Sequence, residues 1–124
     1  MAEESSDSYG LLFQHLKDRG LVTPKLIISD AHSGLVSAIR ASFPGASWQR
    51  CKVHFMRNIL AYVPQKEKKS FACVLKEIWL APTAELARKR VYDVMDTYAK
   101  RFPKAVRCLE NGLEDSLIFY TFPK

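Results

Sequence analysis

Asp30 closes a short apolar run, Leu26-Ile27-Ile28-Ser29, and is followed at once by Ala31, His32, Ser33 and Gly34. A carboxylate at the carboxyl end of a parallel strand projects into the crevice above the sheet, where it can hold a divalent cation through oxygen. The same acid, together with Ser33, can instead cap the helix that follows, because Asp and Ser both accept from orphan helix N–H groups. One acid cannot hold two cations, so metal chemistry at Asp30 needs further donors. Cys51-Lys52-Val53-His54 has the spacing of half a zinc site. No second pair completes it: His15, His32, Cys73 and Cys108 stand singly, and the last two lie among helical apolar residues as core fillers. Cys51 can pack under the sheet with His54 hydrogen-bonded nearby. Alternatively His54, with Arg50 and Arg57 on the same helical face, approaches the crevice near Asp30, where such groups suit phosphate. Trp48 and Trp79 are large enough to stack on bases, although the apolar spacing around Trp79 favours packing.

The charge supports a polyanionic partner. The chain of 124 residues carries a net +6. Residues 50–70 hold Arg50, Lys52, Arg57, Lys66, Lys68 and Lys69 against Glu67 alone. Residues 76–107 are also basic on balance, whereas the first 49 residues are slightly acidic. Each phosphate that such cations neutralise releases counterions, which favours nucleic acid; a solvated, lysine-rich helical surface has the same composition.

The elements that must position these groups follow from apolar spacing. Tyr9, Leu12, Phe13 and Leu16 predict a helix over residues 6–19 with one buried face, capped by Ser5 or Ser6 and ended by Gly20 in the left-handed region. The unbroken run in 25–30 predicts a strand covered on both faces. A helix from Ser33 with Leu35, Ala38, Ile39 and Phe43 inward stops at Pro44-Gly45, and a second strand lies in 46–51. Strand, helix, strand at this spacing is a βαβ unit and implies parallel pairing. Beyond Cys51 the pattern is helical only. Val53, Met56, Leu60 and Val63 form one stripe, ended by Pro64, and Phe71, Val74, Leu75, Ile78 and Trp79 form another. Thr83 caps a helix carrying Ala87, Val91, Val94 and Tyr98, and Pro103 opens a last short one. The expected class is therefore α/β but mostly helical, with residues 1–51 as the α/β part and 52–124 as the helical part. Two strands are too few to stand alone as a covered parallel sheet.

Nearly half the residues are apolar, as in a folded domain of this length. No run approaches the roughly 20 apolar residues that span a bilayer, and the acidic start MAEESSDS is unlike a secretory signal. A cytoplasmic protein with reduced thiols is expected, since three widely spaced cysteines do not suggest a disulfide framework.

The segments LKDRGL (16–21), PKLIISDAHSGLVSAIRASFPGASWQRCKVHFMRNILAYVPQK (24–66), LKEIWLAPT (75–83) and FPKAVRCLE (102–110) resemble the Mutator-type transposases of bacterial insertion sequences. The resemblance covers nearly the whole chain in order, and it is most specific from SDAHSGL to QRCKVHFMRN. It implies a partial ribonuclease-H-like core followed by a helical insertion. It also implies an Asp-Asp-Glu triad whose acids hold two Mg²⁺ or Mn²⁺ ions for attack on phosphodiesters. Asp30 matches the second aspartate, and Cys51 and His54 match the family's Cys-x-x-His element. The strand bearing the first aspartate, the glutamate that follows a segment like FYTFP (119–123), and the amino-terminal DNA-binding region have no counterpart here; Glu110 and Glu114 do not match the glutamate.

An internal fragment of a catalytic domain is expected on this basis, inactive alone in DNA cleavage and strand transfer. Its implied partner is double-stranded DNA at transposon ends. An open strand edge on residues 25–30 further suggests a homodimer. The competing reading is a non-enzymatic helical DNA-binding module that regulates transposition.

Overall fold

The computed structural model describes residues 6–122, which divide into two compact units at Cys51 and Lys52. It is mostly helical, with one two-stranded parallel sheet.

In the first unit, α1 spans Ser6–Asp18, β1 Leu26–Ser29, α2 Ser33–Ser42 and β2 Ser47–Arg50. The end of α1 follows from Gly20, whose φ of 102° places it in the region where a side chain is disfavoured. Gly20 N–H donates to Lys17 C=O at 3.0 Å and Leu21 N–H to Leu16 C=O at 3.0 Å, the two bonds of a Schellman ending. Ser5, the alternative cap of α1, lies outside the described residues. The buried face expected for α1 is only partly realised. Tyr9 and Phe13 are half-buried, whereas Leu12 and Leu16 are exposed. The reason is that α1 packs on α2 along one narrow line: Phe13 meets Phe43 with ring centroids 5.3 Å apart, and Tyr9 meets His32 at 6.2 Å.

The two strands pair in register from Leu26 opposite Ser47 to Ser29 opposite Arg50, with α2 as the crossover. Ser47 N–H donates to Lys25 C=O at 2.8 Å at one end of the ladder, and Cys51 N–H to Ser29 C=O at 2.6 Å at the other. Coverage of β1 on both faces is not observed. Ile28 is 54% exposed while Leu26 and Ile27 are half-buried, because the helices of this unit cover one side of a two-stranded sheet. The small core here is Ala38, Ile39 and Phe43.

The second unit contains α3 (Lys52–Leu60), α4 (Gln65–Trp79), α5 (Ala84–Tyr98) and α6 (Pro103–Gly112), followed by 3₁₀ turns at Glu114–Ser116 and Ile118–Thr121. Thr83 caps α5 by accepting from Leu86 N–H at 3.1 Å, and Pro103 opens α6, as their residue types predict. Phe55, Ile59, Phe71, Leu75, Ile78, Ala87 and Leu109 form the centre of one core. Trp79 lies edge-on to Phe55 at 6.0 Å and donates its Nε1–H to the buried Ser116 hydroxyl at 2.9 Å.

Two expectations need correction in this unit. Val53 is 60% exposed, and Phe55 and Ile59 point inward instead, because α3 packs against both α4 and α6. Cys73 is exposed on α4 and is not a core filler, whereas Cys108 packs against the core. No helix among the described residues is long and apolar enough to cross a membrane.

Candidate functional site

The βαβ arrangement puts Asp30 one residue beyond β1 and Cys51 one residue beyond β2, side by side at the carboxyl edge of the sheet. Asp30 is exposed. Its Oδ1 accepts the backbone N–H of His32 at 3.3 Å, which folds the chain sharply from strand to helix. The cap of α2 is His32, and Ser33 is the first helical residue. His32 Nδ1 accepts from Leu35 N–H at 3.3 Å, so the histidine does the work that the residue types suggested for Ser33. Asp30 is thus both a local turn-former and a solvent-facing oxygen donor.

The floor of this edge is tied by Trp48, whose Nε1–H donates to Ser29 Oγ at 2.8 Å, while Ser29 Oγ donates to the Asp30 carbonyl at 2.8 Å. Arg40 lies over the Trp48 ring at 5.7 Å. Trp48 is therefore a strap across the strands next to Asp30, a role that its size alone did not distinguish from base stacking. Trp48 is opposite Ile27, and its indole reaches Ser29 diagonally, two residues along β1, so the contact depends on the register of the paired strands.

Arg50 lies in β2, half-buried, so it does not share a helical face with His54 and Arg57. Those two are exposed on α3, at positions three residues apart. Lys52 is exposed at the start of α3. On α4, Lys66 and Lys69 are exposed but Lys68 is half-buried, so the basic run of the sequence does not form one uniform surface.

A divalent cation of the Mg²⁺ or Mn²⁺ type takes oxygen ligands, and Asp30 has the right chemistry and exposure for one of them. Among the described residues no group of three or more His, Cys, Asp or Glu side chains is placed to hold a metal ion. The residues present therefore do not complete a two-metal centre.

The whole chain, residues 1–124, matches the family model described as transposase, Mutator family. It is 44% identical over 117 residues to the transposase for insertion sequence element IS256 in transposon Tn4001 of Staphylococcus aureus, covering 91% of this chain and 30% of that protein. Against the transposase for insertion sequence element IS1081 of Mycobacterium tuberculosis the identity is 37% over 112 residues, covering 90% of this chain and 27% of that protein. Against the transposase for insertion sequence element IST2 of Acidithiobacillus ferrooxidans it is 36% over 121 residues, covering 97% and 41%. The chain thus spans about a third of the length of these relatives. A match over every residue, on a strand–turn–helix that delivers an exposed acid to a sheet edge, assigns the chain to the Mutator family of transposases.

Proposed function

We propose that this chain forms part of the catalytic region of an insertion-sequence transposase, with a partial ribonuclease-H-like unit in residues 1–51 and a helical DNA-contacting insertion in 52–124. The observation that carries the reading is Asp30, exposed at the carboxyl edge of a parallel strand pair within a chain that matches this family throughout. In this reading Asp30 supplies one carboxylate toward Mg²⁺ or Mn²⁺, and the acids that complete the site come from outside the described residues. Cys51, just beyond the strand that neighbours Asp30, and His54 on α3 match the family's Cys-x-x-His element. The substrate is duplex DNA at the ends of the mobile element.

The test is paramagnetic broadening by Mn²⁺ of the amide signals of Asp30, Ala31 and His32. Broadening at low Mn²⁺ in the parent chain and its loss in Asp30→Asn support the reading. Equal broadening in both overturns it, as does metal-dependent DNA nicking by the chain that survives Asp30→Ala.

The outer edge of β1 pairs with no strand among the described residues, and Ile28 beside it is exposed. An unpaired edge with apolar flanks recruits another strand. A two-fold dimer closed along β1 follows in this reading, and light scattering that finds a monomer at high concentration counts against it.

A further inference from the structure

The outer face of α4 has a composition that the helix itself disfavours. Its inner side holds Phe71, Leu75, Ile78 and Trp79 in the core. Opposite them, at spacings of three, four and three residues, stand Lys66, Lys69, Cys73 and Lys76, all exposed, with Ser70 alongside. Two features make this stripe unfavourable in isolation. Lys66 and Lys69 lie in the first turns of α4, at the positive end of the helix dipole, where cations are destabilising. They are also like charges three residues apart, which repel on a helix surface. The acids nearby do not cancel this. Glu67 is paired with Arg101, and Glu77 only borders the stripe. By contrast, Lys100 and Arg107 on the surface formed by α5 and α6 line a shallow groove together with Asp93, Asp96 and Glu110, a mixture of signs that is balanced by itself.

We propose that the Lys66–Lys69–Cys73–Lys76 face of α4 is the surface of this chain that lies on the phosphate backbone of duplex DNA. A polyanion relieves both the repulsion and the dipole mismatch, so the partner supplies what the helix lacks. Ten residues separate Lys66 from Lys76, about 15 Å along the axis. That length is close to the roughly 12 Å width of the major groove, so lysines at the two ends of the stripe reach phosphates on both of its sides. Cys73 then sits in the middle of the contact. This assignment rests on the reading of the chain as a DNA-acting transposase segment, and it names the face that does the binding.

The experiment uses the 124-residue chain and a fluorescent duplex of unrelated sequence, with anisotropy followed from low to moderate salt. Lys66→Glu/Lys69→Glu/Lys76→Glu is compared with Lys89→Glu/Lys100→Glu/Lys104→Glu, which changes the net charge equally on exposed positions of α5, α6 and the turn between them. The α4 variant should lose at least about tenfold in affinity, and its log–log salt slope should fall by roughly 2.7 if three phosphate contacts are lost. The α5–α6 variant should change by less than about threefold, well short of that slope change. Lys66→Glu and Lys69→Glu favour the dipole at the start of α4 and Lys76→Glu opposes it in the last turn, so folding of the variant is checked by far-UV circular dichroism, which should match the parent. A second readout is disulfide trapping by a duplex carrying a mixed disulfide tethered to one phosphate, in which the Cys73 thiolate attacks the tethered sulfur and expels the small thiol as the leaving group. Cys73 should cross-link, and Cys73→Ser should abolish the product.

Equal weakening by the two triple variants, or binding without any Cys73 cross-link, overturns the assignment of the face while leaving DNA binding in place. Absence of salt-dependent binding by the parent chain overturns the DNA-acting reading and the face assignment together.

Discussion

Asp30 and His32 divide between them the work of turning a strand into a helix. The Asp30 carboxylate takes the His32 N–H, and the His32 imidazole takes the Leu35 N–H, so two of the exposed donors at this turn are satisfied by neighbouring side chains. Asp30→Asn keeps an acceptor at the turn and removes the charge, which is why it separates metal affinity from folding. At the same scale, α3 offers a sharp contrast between two apolar residues. Phe55 is fully buried and Val53 is 60% exposed. Phe55→Ala should therefore cost about 3–5 kcal/mol, the usual range for emptying an aromatic site in a core. Val53→Ala should stay within about 0.5 kcal/mol. Urea unfolding followed by circular dichroism measures both.

Elements in this chain are bounded by side chains that act locally and joined by a few specific contacts. Thr83 accepts one of the orphan N–H groups of α5, and Thr83→Ala should lower stability by about 1 kcal/mol while Thr83→Ser retains most of it. Arg88 of α5 holds Glu114, in the turn after α6, through two bonds of 2.8 and 2.9 Å. The hydrogen bond from the Arg88 guanidinium holds the Glu114 carboxyl below its ordinary value, with burial opposing it and the Arg88 charge adding a smaller lowering effect. A carboxylate with a lowered folded-state pKa stabilises the fold above its unfolded-state value, and that contribution is lost as pH falls through the folded-state value. Arg88→Met should thus reduce stability at neutral pH and make the acid side of the stability profile shallower below the ordinary carboxylate range. The effect should be small, since both side chains are open to solvent. Thermal unfolding of parent and variant from pH 7 to pH 3 reads the difference.

On the scale of the molecule, the two units differ in how much core each owns. Residues 52–124 enclose a continuous cluster drawn from all four helices. The first unit buries Ala38, Ile39 and Phe43, contributes no fully buried residue from α1, and leaves Ile28, Leu12, Leu21 and Val22 exposed. Few domains so small and so thinly covered are stable without help. Residues 52–124 expressed alone should be helical and unfold cooperatively in urea, and residues 1–51 alone should show little structure by circular dichroism. A cooperative transition from the first segment, or none from the second, would contradict this account.

What the amino-acid order determined unaided is what depends on a few adjacent residues. Gly20 ends α1 because only the local backbone matters to a positive φ, and Thr83 and Pro103 open their helices for similarly local reasons. The βαβ succession and its parallel sense followed from one apolar run, a helical period and a second short strand close behind it. The block around Asp30 carried the family, now matched over all 124 residues. What the tertiary structure decided is which of several competing faces is covered. Of the expected stripe, Met56, Leu60 and Val63 pack in or against the core and Val53 is exposed, while contact of α3 with α4 and α6 also buries Phe55 and Ile59. The unbroken run of β1 was compatible with cover on both faces, yet Ile28 meets none within its unit. Cys73 has apolar neighbours in sequence but faces outward among lysines, while Lys68, in the middle of the basic run, is half-buried away from them. Burial is a property of whatever lies opposite a residue, and spacing along one chain does not specify that partner.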